Sequence, residues 1–446
     1  MTDDSVVEIT TIIDRRKFDA FNVRLLVLSF LVVLIDGFDI TVAGFAVPEL
    51  THAWQTDDPS VFGPMLAASL VGILLGAPLM GVIGDRYGRK AAIVLSYLIF
   101  GIFTLGGAWA GSVRQLTVLR LLGGFGIGGV LPNIVALNAE FAPQRLRATA
   151  VIVSFTGVAF GGALPGPVAA FLVPHYGWPI LFYLGGLIPL IFAIIVFVWL
   201  PESIRFLAIK DRQTEIAELM KRLHPGKEFP TSIRFAMGED KQIPFTYLFS
   251  GQLAVMTPLL WLLFALNLMT YFFLVSWMPA LLASAQIPTA RAALATAMLQ
   301  LGGVIGSWTI AIPTDRRGML PITVLFFLGV PIIGAIGYVG LQSPAWLMII
   351  VFLAGFCTLG VQMGINAMSA IFYPTVLRAT GSGWAFGIGR LGSILGPIIG
   401  GLLIARLSVR QLYVAAAVPF AIGAVASFVL MRLRAEHGRG AGETRG

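Results

Sequence analysis

Four charged side chains lie deep inside apolar stretches: Asp36 and Asp39 in one, Arg120 in a second and Arg390 in a third. A charge at hydrocarbon depth is costly, so by default it marks a substrate or ion path. Two acids and two bases can neutralise one another inside a helical bundle. A carboxylate pair one turn apart suits the holding and release of a single proton, because two such charges cannot both ionise cheaply away from water. A planar guanidinium suits a carboxylate ligand, which it can grip with two parallel hydrogen bonds. In-span amides at Asn133, Asn138, Asn267, Gln300, Gln362 and Asn366 add hydrogen-bonding capacity, used either for a ring hydroxyl or for joining helices.

Such residues need a lipid-embedded scaffold, and composition supplies one. The chain has 446 residues, 57% hydrophobic and only 12% charged, with a mean hydropathy of +0.88. A soluble fold of this size could not keep that surface in water. Crossing the hydrocarbon core takes roughly 20 apolar residues, and twelve stretches qualify, the first at 25–47 and the last at 411–432. The 51 glycines and 25 prolines are tolerated there, since small residues let backbones approach and neighbours take up freed hydrogen bonds.

The net charge of +8 follows topology and gives no sign of a nucleic-acid partner. Of 30 lysines and arginines, all but Arg114, Arg291, Arg406, Arg410 and the in-span Arg120 and Arg390 fall before the first span, in loops of one parity or in the tail. The positive-inside rule puts those segments, with both termini, in the cytoplasm. The opening residues show no short apolar core with a cleavage site, so no cleaved signal peptide is expected. The single cysteine, Cys357, is expected to pack within a span, and His52, His175, His224 and His437 fall in loops or the tail, too far out for a proton relay.

The predicted organisation is a cytoplasmic segment 1–24, a six-helix bundle 25–200, a cytoplasmic linker 201–255, a second six-helix bundle 256–432 and a tail 433–446. The halves are related. Ala136–Thr149 (ALNAEFAPQRLRAT) matches Ala367–Thr380 (AMSAIFYPTVLRAT) at eight of fourteen positions with an offset of 231, and Asp85-Arg86-Tyr87-Gly88 is echoed by Asp315-Arg316-Arg317-Gly318. Parallel six-span repeats with a site between them near mid-bilayer are a recurring transporter plan. Shifting Asp36 by the same offset lands on Asn267, so proton chemistry is expected in the N-terminal half.

Gly81, Asp85, Arg86, Gly88, Arg89 and Lys90 form a glycine-bounded charged loop between the second and third spans. This pattern resembles the signature of the major facilitator superfamily; in the second copy Ala311 and Met319-Leu320 replace the glycine and the bases. The run Asp36-Gly37-Phe38-Asp39 followed by Gly44 resembles the mark of the aromatic acid:proton symporters within that superfamily. Arg120 with Gly124, Gly126 and Gly128, Glu140-x-x-Pro143 with Arg147, Tyr373-Pro374 with Arg378, and Gly383-Trp384 leading to Arg390 strengthen the likeness. Glu202 and Arg205 resemble a further loop signature and are expected to pair locally.

The resemblance implies an all-α integral membrane protein of twelve helices in a bacterial inner membrane, working as a secondary carrier and not as an enzyme. It implies proton coupling at Asp36 and Asp39, with Asp85, Arg86, Arg89, Glu140, Arg147 and Arg378 gating the cytoplasmic side. Depth along the helices fits a common site: Asp36 lies ~17 Å and Asp39 ~21 Å from the inner start of the first span, and Arg390 ~18 Å into the eleventh. Arg390 is the candidate for the substrate carboxylate, with Arg120 beside it. Phe38, Phe45, Tyr271, Trp384 and Phe386 are candidate walls for a ring, Phe38 and Trp384 foremost because they flank the charges. The implied partners are a small aromatic carboxylate, protons and lipid, with no cofactor or metal. A carrier or exporter of a non-aromatic organic acid, such as a muconate-like diacid, and a non-transporting membrane sensor are the competing readings.

Overall fold

A computed structural model describes residues 6–8, 13, 19–56, 58–143, 146–223, 234–236, 245–251, 253–373 and 377–443. Twelve helices are long and apolar enough to span a bilayer. We number them α1 (Ala20–Ala53), α2 (Gly63–Tyr87), α3 (Arg89–Gly107), α4 (Val113–Phe141), α5 (Arg147–Ala163 and Pro165–Tyr176, broken at Leu164) and α6 (Pro179–Trp199) in the first half. The second half holds α7 (Leu253–Ser284), α8 (Thr289–Arg317), α9 (Leu320–Tyr338), α10 (Pro344–Phe372), α11 (Arg378–Ile404) and α12 (Val409–Glu443). Their outer faces carry exposed aliphatic and aromatic side chains, Phe171 at 75% and Ile194 at 66% among them, as a lipid-facing surface requires.

Local chemistry sets the helix ends. Asp19 accepts a hydrogen bond from the Asn22 amide at the start of α1, and Ser112 accepts one from Gln115 at the start of α4, satisfying amides that have no partner within the helix. At the inner turns the two halves use one device: Gly88 (φ 106°) closes α2 and Gly318 (φ 58°) closes α8. Both are backbone conformations that a side chain resists, so the four-residue echo in the sequence is a repeated turn.

The packing repeats as well. In the first half α1 lies on α5, α2 on α4 and α3 on α6; in the second α7 lies on α11, α8 on α10 and α9 on α12. Small residues make this approach possible. A Cβ at Gly124 would strike the Ser69 carbonyl of α2, and one at Gly355 the Leu299 carbonyl of α8.

The halves meet through α1 with α7, α2 with α11, and α5 with α8. Their close approaches gather at one end: Gly44 on Ser276, Gly63 on Pro397, Gly401 on Ser60, and Gly166 on Ala293. Those residues lie toward the ends of the helices opposite the basic loops. Among the described residues, then, the closest contacts between the halves gather on the predicted outer side. Between the halves, two short helices, Ile204–Ile209 and Gln213–Leu223, and a strand, Arg234–Ala236, cover the inner surface; the strand pairs in parallel with Val6–Glu8. His52 and His175 lie in the last turns of α1 and α5 and not in loops. Cys357 is buried in α10.

Candidate functional site

Gly37 lets α1 lie against the Val158 backbone of α5, which turns the neighbouring carboxylates inward. Arg120 shares a helix face with Gly124, one turn away, and the tight α2–α4 contact at Gly124 carries its side chain into the bundle. There Arg120 meets Asp39: Nη1 lies 2.6 Å from Oδ1 and Nη2 donates to the Asp39 main-chain carbonyl at 3.0 Å. Ser69 of α2 and Thr104 of α3 also donate to the carboxylate, each at 3.4 Å. Asp39 is 0% and Arg120 3% exposed. The pair belongs wholly to the N-terminal half.

Asp36 is placed differently. It is 4% exposed, and its Oδ1 has no hydrogen-bond partner among the described residues. Its charge acts on that of Arg390, on α11 of the other half, though no direct ion pair joins them among the described residues. On α11, Gly389, Gly392 and Gly396 face α7, and Arg390, off that face, is half-buried. Asp39, one turn on, is also close enough to act on the charge of Asp36, but the neighbouring acids differ in their partners: Asp39 is held by Arg120, and Asp36 keeps an unpaired oxygen among the described residues. Three residues along a helix leave the two side chains only about 60° apart around its axis, so what separates the acids is their partners and not the face they occupy. Arg120, expected beside the substrate carboxylate, has its guanidinium engaged by Asp39, and among the described residues its Nε is without a partner.

The amides form two short chains. Asn267 of α7 donates to Gln362 of α10 at 2.9 Å, and Gln362 donates to Asn366 at 3.0 Å, leaving Asn267 Oδ1 without a partner. Tyr271 donates its hydroxyl to Gln300 Oε1 of α8 at 3.0 Å; Gln300 Nε2, itself unpartnered, abuts Gly162 of the first half. Asn133 and Asn138 are helix ties: Asn133 donates to Met80 and Gly129 carbonyls, and Asn138 joins Ser29 to Ser154.

The proposed aromatic wall needs revision. Trp384 shares one face of α11 with Leu391, Leu395 and Leu402, all exposed in the manner of lipid-facing residues, and stacks on Trp261 at 6.2 Å. Phe386 lies within about 40° of Arg390 around the helix, is 41% exposed and meets Phe264 edge-on at 5.4 Å. Phe38 is buried inside the first half, where its ring faces Gly185 of α6, and Phe45 is in the core. Sequence proximity to the charges favoured Trp384 and Phe38, but helical phase turns both away from the cleft.

At the inner surface Arg89 Nε lies 3.1 Å from Glu140 Oε1, and Ser203 donates to Glu140 Oε2 at 2.7 Å. Glu202 turns to the start of α3, accepting from the Lys90 amide at 3.2 Å and the Ser203 amide at 2.8 Å, a favourable seat for an anion. A Cβ at Gly88 would lie 2.5 Å from Glu202 Oε2. Asp85 and Arg86 are exposed, Arg86 over the Tyr87 ring at 5.6 Å. Arg147 and Arg378 begin α5 and α11, but their side chains lie outside the described residues. Sequence reading missed Ser69, Thr104 and Ser203, whose hydroxyls complete these clusters; polar residues at the depth of a buried charge were the available signal.

The sequence profile of the Major Facilitator Superfamily matches residues 29–389 and 315–446. The chain is 35% identical over 433 residues to the 4-hydroxybenzoate transporter PcaK of Pseudomonas putida, covering 95% of each chain. It is 37% identical over 408 residues to the gallate transporter of the same organism, covering 90% of each. Among solved structures, a bacterial homolog to the human lysosomal transporter Spinster superposes with a TM-score of 0.70 at 17% identity, covering 94% of this chain and 98% of that one.

Proposed function

We propose that this chain, which belongs to the Major Facilitator Superfamily, imports an aromatic carboxylate, a hydroxybenzoate or related acid, together with protons across a bacterial inner membrane. The observation that carries this reading is the buried Asp36 of the first half, with an oxygen unpartnered among the described residues, within electrostatic reach of Arg390 of the second half. The names of its relatives support an aromatic acid as the cargo.

In this reading Arg390 has two competing anions, Asp36 and the substrate carboxylate. A proton on Asp36 removes the competitor, and a bound carboxylate beside Asp36 favours that proton in turn. Proton and substrate thus bind with positive coupling, which is necessarily reciprocal. Asp39 offers a second proton site, whose protonation would release Arg120 within the first half. Phe386 supplies an apolar face for the ring, and the Asn267–Gln362–Asn366 chain and the Tyr271–Gln300 pair supply groups for its substituents. Opening of the outer contacts at Gly44 and Gly63, with closure of the inner cleft, then alternates access. Asp85, Arg86, Arg89, Glu140, Arg147 and Arg378 are the inner-side groups that this motion would remake.

The test is uptake of labelled 4-hydroxybenzoate into proteoliposomes under an inward proton gradient. Accumulation that a protonophore abolishes and that benzoates compete better than muconate is the expected result. Folded protein that accumulates muconate alone, or that transports without regard to the gradient, overturns the proposal.

A further inference from the structure

The degraded second copy of the charged loop has a structural counterpart. In the first half the bases of this region are occupied: Arg89 pairs with Glu140 and Lys90 lies over the Phe197 ring. The repeat offset puts Met319-Leu320 in place of Arg89-Lys90 and Ile371 in place of Glu140. The second half therefore lacks the counterpart of Glu140, while Asp315 remains in sequence beside its two bases. Arg316 and Arg317 close the last turn of α8, both exposed, and among the described residues neither makes an ion pair or side-chain hydrogen bond.

Beside them a groove of about 530 Å³ opens between α8, α9 and α10, walled by Ile312, Pro313, Leu320, Val324 and Phe356. Ile312 is 63% and Val324 45% exposed. The groove lies on the outside of the bundle, facing hydrocarbon, and the arginines stand at its inner mouth. It therefore combines an apolar trough at acyl-chain depth with two exposed guanidiniums at headgroup level.

We propose that this groove binds one anionic phospholipid of the cytoplasmic leaflet, its phosphate on Arg316 and Arg317 and an acyl chain along Ile312, Val324 and Phe356. Guanidinium forks match phosphate oxygens, and basic pockets between spans on the cytoplasmic side select anionic headgroups. Charge complementarity favours this occupant over a zwitterionic lipid, whose ammonium would face two cations. The site is separate from the central cleft and does not depend on what the cleft carries.

Native mass spectrometry of the full-length protein in detergent, titrated with phosphatidylglycerol or phosphatidylethanolamine, tests it. Wild type should retain phosphatidylglycerol about tenfold more tightly, given the surface attraction of two bases. R316Q/R317Q should lose that preference, and R316K/R317K should keep most of it. V324W, with both arginines intact, should bind either lipid weakly. Matching thermal unfolding of all variants shows that they are folded. Equal retention of the two lipids by wild type, or undiminished phosphatidylglycerol binding by R316Q/R317Q, overturns the proposal. Displacement by inorganic phosphate, with V324W binding as wild type, would reduce the site to a surface anion contact and overturn it too.

Discussion

Arg120 holds Asp39 at two points, carboxylate and main-chain carbonyl, entirely within one half of the molecule. Asp36, one turn earlier, keeps an oxygen without a partner among the described residues. Buried charge pairs are weak stabilisers but costly to break, because the survivor is left unpaired in a medium that cannot solvate it.

Asp39→Asn should therefore abolish accumulation against a gradient while leaving some substrate exchange. It should also lower stability by about 3–5 kcal/mol if Arg120 is left charged and unmatched, with Asp39→Asn/Arg120→Gln recovering part of that loss. Uptake assays paired with thermal unfolding check both; undiminished accumulation removes Asp39 from the coupling.

Asp36 and Arg390 should separate coupling from recognition. Asp36→Asn is expected to fold normally and bind substrate with little dependence on pH, whereas Arg390→Lys should raise the apparent KM sharply because a point charge cannot replace a planar fork. Unchanged affinity in the lysine variant would take Arg390 out of the binding site.

The revised aromatic wall makes a paired prediction. Phe386→Ala should weaken substrate binding, and Trp384→Ala, on the lipid-facing stripe, should leave KM nearly unchanged. Competition binding with a labelled benzoate reads both variants, and the reverse pattern would restore Trp384.

At the outer seal, a Cβ on Gly44 would lie 2.6 Å from the Ser276 carbonyl oxygen. Gly44→Val should oppose closure, shift the protein toward an outward-open form and slow transport while substrate still binds from outside. Spin-label distances between the outer ends of α2 and α11 should lengthen; distances matching wild type would count against this role.

The inner clasp is testable by a double-mutant cycle. Arg89 and Glu140 are about a tenth exposed, so Arg89→Ala and Glu140→Ala should couple by about 1–2 kcal/mol in thermal stability. Additive effects would mean that Ser203 and Glu202 hold the two helix ends without the ion pair.

The sequence by itself determined the class of protein, the twelve spans, the likeness of the two halves and the depth of each buried charge. Those properties are local along the chain: an apolar run long enough to cross lipid, a repeated turn at Gly88 and Gly318, a count of residues from a helix end. It also contained the phase of Trp384 against Leu391 and Leu395, but not which phase faces lipid. Only the tertiary structure decided that Asp39 and not Asp36 belongs to Arg120, that Phe386 and not Trp384 lies near Arg390 around α11, and that the halves make their closest contacts at the outer ends. Each of these depends on how far a helix is rotated about its axis and how close glycine lets its neighbour come. Those quantities are fixed by contacts between residues tens to hundreds of positions apart, which hydropathy and spacing do not record.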